Sequence, residues 1–124
     1  MLFESETAVI KLNDLEANDS TAAAAELRKR IPANSTIVVV AANSEVQWLP
    51  AISLALQSKM VRINHYLLID QLPETFNSSW PDAPITYFGK TADDLNLARL
   101  RGWGYVNASN TSESEVIAAI CDGI

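Results

Sequence analysis

Residues 65–106 read HYLLIDQLPETFNSSWPDAPITYFGKTADDLNLARLRGWGYV, and they carry most of the information in the chain. The apolar run Val61–Asp70 predicts a strand that ends on an acid. Gln71 to Pro81 offers only Phe76 and Trp80 as anchors, so any helix there is short. Ile85–Phe88 (ITYF) predicts the next strand. Thr91 stands as a helix cap with Asp94 three residues on, and Leu95, Ala98 and Leu100 give the following helix, to Arg101, an apolar stripe. Gly102 then ends the helix, and a last strand is expected at Tyr105–Ala108.

The same alternation extends outward on both sides. Ala8–Leu12 is a short strand, and Thr21–Arg30 (TAAAAELRKR) has strong helix propensity behind the caps at Asn13, Asp14 and Asn18 to Thr21. Thr36–Ala42 (TIVVVAA) is β-branched without polar alternation, as expected of a strand covered on both faces. Asn43-Ser44 caps a second helix, with Ser44 and Gln47 spaced as a capping box. Pro50 demands a kink or a later start. Asn110 to Ser112 cap a last helix at Glu113–Cys121, with Val116, Ile117, Ala119 and Ile120 apolar. Strands alternating with helices predict a single α/β domain over 1–124, a three-layer, five-stranded, mostly parallel sheet of flavodoxin-like order 2-1-3-4-5. Its core should include Ile10, Val38, Val40, Leu67, Ile69, Tyr87, Val106 and Ile117.

Composition narrows the chemistry. With 124 residues, the chain is long enough to bury a core without disulfides or metals. One cysteine, Cys121, and one histidine, His65, exclude a disulfide framework and any His-pair metal site. A net charge of −6 argues against nucleic acid. The basic run Arg28-Lys29-Arg30 falls at a helix end, where cations meet the dipole. Glu4 and Glu6 stand where a signal peptide needs basic and then apolar residues, and the run Ile37–Ala42 is too short to cross a bilayer. A cytoplasmic location, with no membrane contact, is the expectation.

Ligands of such sheets bind outside the carboxyl ends of the strands. Those positions hold Asn13-Asp14, Asn43-Ser44, Asp70, Gly89-Lys90-Thr91 and Asn107 to Ser109. The pattern resembles a response-regulator receiver domain. That family has an acidic pair after strand one, a phospho-accepting Asp ending strand three, a Ser/Thr ending strand four and a Lys after strand five. By this resemblance Asp70 is the candidate phospho-acceptor, and Asp14 with Asp70 the candidate metal pair. Asn13 replaces one acid of the pair, Gly89 falls at the hydroxyl position and Ala108 at the ammonium position. Tyr105 resembles the family's switch aromatic, and Gly102-Trp103-Gly104-Tyr105 its Gly-Ala-x-x-Tyr segment. Without the hydroxyl and the ammonium, an acyl phosphate has neither coupling nor counter-charge.

The reading is therefore a degenerate, non-catalytic pseudo-receiver that needs no cofactor and mediates protein–protein interaction or dimerisation in signalling or localisation. Arg99, Arg101, Trp103 and Tyr105 form the expected interface, since Trp and Arg are enriched at interface hot spots. Trp103 turned into the core is the alternative for that residue. Two other functional readings compete. One is a small nucleotide- or ligand-binding domain with a rim of Asn13, Asn43, Ser44, Gly89, Lys90 and Thr91. The other is a receiver phosphorylated on Asp70.

Overall fold

The computed structural model describes residues 7–15, 17–31, 35–58, 61–73 and 83–123. Five strands alternate with helices: β1 (Thr7–Lys11), α1 (Ser20–Arg30), β2 (Thr36–Ala42), α2 (Leu49–Gln57), β3 (His65–Ile69), β4 (Ile85–Gly89), α3 (Ala92–Leu100), β5 (Gly104–Asn107) and α4 (Glu113–Asp122). All neighbouring strands pair in parallel. The α/β class and the parallel sheet are as expected. The order is not: it runs β1-β2-β3-β4-β5, so β2 and not β1 is interior beside β3.

A sequential order has a direct consequence for layering. Crossovers of one hand that always step in one direction place every connecting helix on the same face. The two buried clusters show this. On the front face Ile10, Val39, Ala41, Tyr66, Leu68, Ile85 and Tyr87 pack against Ala23 and Leu27 of α1, Ile52 and Leu56 of α2, and Ala98 of α3. On the back face Val38, Val40, Leu67 and Phe88 pack against Val116 and Ile120 of α4, with Ile69, Val106 and Ile117 half-buried around them. The expected core residues fall into these two clusters, and Cys121 lies half-buried at the edge of the second.

Local chemistry explains where elements begin and end. Asp19 Oδ1 accepts the Ala22 amide at 2.8 Å and starts α1 one residue ahead of Thr21. After β2 the chain first makes a 3₁₀ segment, Asn43–Trp48, and α2 begins only at Leu49. Pro50 is thereby the second residue of α2, where its missing N–H is no loss. Asn64 fixes the register of the two central strands: its amide donates to the Ile37 carbonyl at 2.9 Å, and its Oδ1 accepts the Ile37 amide at 2.9 Å. The two expected capping boxes do not form. Neither the 3₁₀ segment nor α3 has a side-chain cap, and Gln47 and Asp94 bond elsewhere. Residues 74–82, which include Phe76 and Trp80, lie outside the described residues.

The end of α3 is a Schellman motif. Trp103 N–H donates to the Ala98 carbonyl and Gly102 N–H to that of Arg99, both at 3.0 Å, with Gly102 at φ +78°. Space around Gly102 is open, so only its backbone conformation resists a side chain. Gly102→Ala is expected to lower stability by about 1 kcal/mol without changing the fold, as read from the midpoint of urea unfolding.

Candidate functional site

The carboxyl ends of the strands gather polar residues, but in a sequence set by the sheet order. Asn13 and Asp14 are exposed in a 3₁₀ turn (Leu12–Asp14) after β1. Asn43 and Asp70 follow β2 and β3 directly, next to the register pair Ala42 and Ile69, and both turn left-handed at φ 55° and 66°. Asn and Asp are the residues that tolerate this conformation. Between these two ends Gln47 Nε2 donates to the Leu72 carbonyl at 3.0 Å and to Gln71 Oε1 at 3.3 Å, tying the segment after β2 to the one after β3.

The receiver-type constellation does not assemble. It needs the acids of strands one and three side by side, and here β2 stands between them. Two strand spacings, roughly 10 Å, separate the ends of β1 and β3, so Asp14 and Asp70 do not follow adjacent strands as the receiver pattern requires. Among the described residues no group of three metal-ligating side chains comes together. Asp14 instead neighbours Glu45, whose carboxyl is pushed up by burial first, against a backbone hydrogen bond at Ala42, with the Asp14 charge adding to the rise. Lys90 is exposed, and Lys11 is engaged with Glu113 of α4 at 3.2 Å.

Gly89 has a packing reason that the sequence does not reveal. A Cβ there would lie 2.2 Å from the hydroxyl of Tyr87, a fully buried side chain. The Tyr87 hydroxyl donates to Asp94 Oδ2 at 3.4 Å, which is why Asp94 does not close a capping box. Its pKa is pushed up to about 12 by burial, then by the charge and hydrogen bond of Asp94 and the charge of Asp70. Beyond Gly89 the pairing continues one step, with the Ala108 amide on the Gly89 carbonyl at 2.9 Å. Asn107 Oδ1 then accepts the Ser109 amide at 2.9 Å, and Ser112 caps α4 through the Glu115 amide.

The residues expected at an interface lie together at the β5 edge. Tyr105 is 50% exposed on the front face, and Arg99 and Arg101 are exposed. Trp103 takes an intermediate position. It is half-buried against the front cluster as the residue after the helix-ending glycine, and its ring carries the Arg101 guanidinium 5.1 Å from the centroid. Loss of Trp103 would therefore cost folding as well as any contact. Two features were not read from sequence. His65, expected as a packed or edge strand histidine, pairs with Thr86 across β3 and β4 on the back face at 2.8 Å, and burial lowers its pKa. Beside them an open groove of about 530 Å³ runs between β4, β5 and the flank of α4. The i,i+4 stripe Thr111, Glu115, Ala119 and the alternation of Gly104 with Val106 were the available signals.

The chain matches no family model, no curated protein and no solved structure. No helix among the described residues is long and apolar enough to cross a membrane.

Two outcomes test this geometry. Placing a hydroxyl after β4 by Gly89→Ser is expected to destabilise the protein by about 1–3 kcal/mol through collision with Tyr87, measured by urea unfolding. Tyr87 keeps its proton when folded but loses it near pH 10 when unfolded, so its stabilisation is full below pH 10 and is lost as pH rises toward about 12. Alkaline unfolding of Tyr87→Phe should lack that component.

Proposed function

We propose that the chain is a non-catalytic α/β interaction module, serving signalling or localisation, that meets a protein partner or a second copy of itself along β5 and the helices beside it. The observation that carries this reading is the state of β5. It is an outermost strand of the parallel sheet, with Tyr105 half exposed and only Val106 partly covered. Its residues, Gly104-Tyr105-Val106-Asn107, include no charge and no proline to discourage added contacts. Arg99, Arg101 and the part-exposed Trp103 flank it, supplying the residue types that dominate interface energetics. The separation of Asp14 from Asp70 by β2 speaks against phosphoryl chemistry on Asp70. The likeness to receivers thus rests on local sequence and not on how the strands pair.

A second reading has one observation behind it. β4 is followed by α3 on the front face and β5 by α4 on the back, so connections diverge between these two strands. Such a divergence is where α/β sheets open a crevice for ligands. Gly89, Lys90 and Thr91 lie at that point, whereas Asn13, Asn43 and Ser44 lie where the connections stay on one face. The Gly89–Ala108 hydrogen bond closes the base of the crevice.

The test is association measured by sedimentation velocity over a range of concentrations, paired with co-purification using the tagged chain. Tyr105→Asp and Arg101→Glu are expected to weaken the dimer, or retention of a stoichiometric partner, by about 2 kcal/mol or more with thermal unfolding unchanged. Association indifferent to both variants, or a stable beryllofluoride adduct at Asp70 with Mg²⁺, overturns the proposal. NMR shifts at Lys90, Thr91 and Ser109 on adding ATP would favour the second reading.

A further inference from the structure

The two faces of the sheet are covered unequally. Three helices lie on the front, while among the described residues only α4 lies on the back. A helix is about 10 Å across and strands are spaced by about 4.8 Å, so one helix shields roughly two strands. The apolar side of α4, Val116 and Ile120, is spent on Val38, Val40, Leu67 and Phe88 of β2 to β4. Over the back of β4 and β5 the open groove remains, and its walls include Thr86, Gly104, Val106, Glu115, Ala119 and Ile120. Gly104 contributes no side chain to the floor, and a Cβ there would press on Thr86 Oγ1 at 3.2 Å. The result is an open trough, apolar at its base, alongside α4.

We infer that this trough takes an amphipathic helix of a partner protein whose polar flank is basic. The inference rests on the interaction-module reading and names the partner's chemistry. The charge of the rim carries it. α4 bears Glu113, Glu115 and Asp122 and no basic residue, and of these Glu115 lines the trough. Glu113 is held by Lys11, whereas Glu115, exposed on the trough wall, forms no ion pair among the described residues. The whole chain, at −6, adds to the attraction for a basic helix. A second copy fits poorly. It would bring its own acidic α4 to the trough, and its basic helix end, Arg28-Lys29-Arg30, belongs to α1, whose Ala23, Ala24 and Leu27 are already buried. A side-chain floor also suits a helix better than a strand, since the unpaired backbone groups of β5 lie in the plane of the sheet and not on the face over which the trough opens.

The experiment is an NMR titration of the ¹⁵N-labelled chain with a synthetic Leu/Lys amphipathic peptide of about 15 residues, long enough to become helical on contact. The Leu/Glu peptide of the same pattern is the comparison. The Leu/Lys peptide is expected to bind with shifts at Thr86, Gly104, Val106 and Ala119, and the Leu/Glu peptide not to bind. Glu115→Lys should weaken binding roughly tenfold or more. Ala119→Trp should abolish binding by filling the trough, with the melting temperature showing both variants folded. Asp93→Lys, on exposed α3, should leave it unchanged. Binding that ignores Glu115→Lys and Ala119→Trp, equal loss with Asp93→Lys, or no binding at all overturns the inference. Shifts at Arg99 and Arg101, with none at Thr86, Gly104, Val106 and Ala119, would overturn the trough while leaving the interaction module standing. Failure of the Tyr105→Asp test together with silence here removes both.

Discussion

The insertion of β2 between β1 and β3 is the constraint on which the rest of this structure depends. β2 is hydrogen-bonded on both sides and buried on both faces, with Val38 and Val39 fully inaccessible. Each such side chain contributes about 1.5–3 kcal/mol when removed from water, so the strand has no alternative place at an edge. Asn64 locks its register to β3 with a reciprocal pair of hydrogen bonds to Ile37. Once β2 is there, connections from β1 and β2 step the same way, and their helices share the front face. The acids after β1 and β3 are kept apart by the same insertion.

Much of the fold was legible because it is written in local chemistry. TIVVVAA, HYLLI and ITYF state strands, and the alternation with TAAAAELRKR and ADDLNLARL states a parallel sheet. The order of strands is not local, and the expectation of 2-1-3-4-5 followed a family template. A clue against it was present. That order makes the first strand central and the second an edge, yet TAVIK is shorter, ends in Lys11 and begins with an exposed Thr7, whereas TIVVVAA has no polar residue after Thr36. Edge strands carry charge and interior strands do not. Weighing the two strands against each other favours the order the structure has.

The site was legible only in part, for a related reason. Positions at strand ends can be read from strand boundaries, so the places of Asp70, Gly89 and Thr91 after their strands were legible. Which of them meet depends on the sheet order. The meaning of Gly89 shows how far this reaches. Against a receiver template it is a lost hydroxyl. In the structure it is the one residue small enough to lie beside the Tyr87 ring, whose hydroxyl is held by Asp94. Asp94, spaced for a cap, serves a buried phenol instead. No sequence spacing distinguishes those two uses, because both place a carboxylate in the first turn of α3.

The proposed function rests on an imbalance in coverage and not on a cluster of reactive groups. A sequential sheet closes its front with successive crossovers, but its back receives a helix only where the chain finally changes sides. Here that change comes after β5, and α4 must run back across the sheet to cover the most apolar strands, tied at its start to Lys11 of β1. The strand it departs from is therefore the one it protects least. Val9 at one margin and Val106 at the other stay only partly covered for the same reason. An uncovered margin of this kind is costly in water unless something else rests on it. The β5 side also carries the exposed Tyr105, the Arg101–Trp103 stack and the acidic flank of α4. Apolar floor, aromatic edge and charged rim are together the features on which the proposed contact with another protein rests.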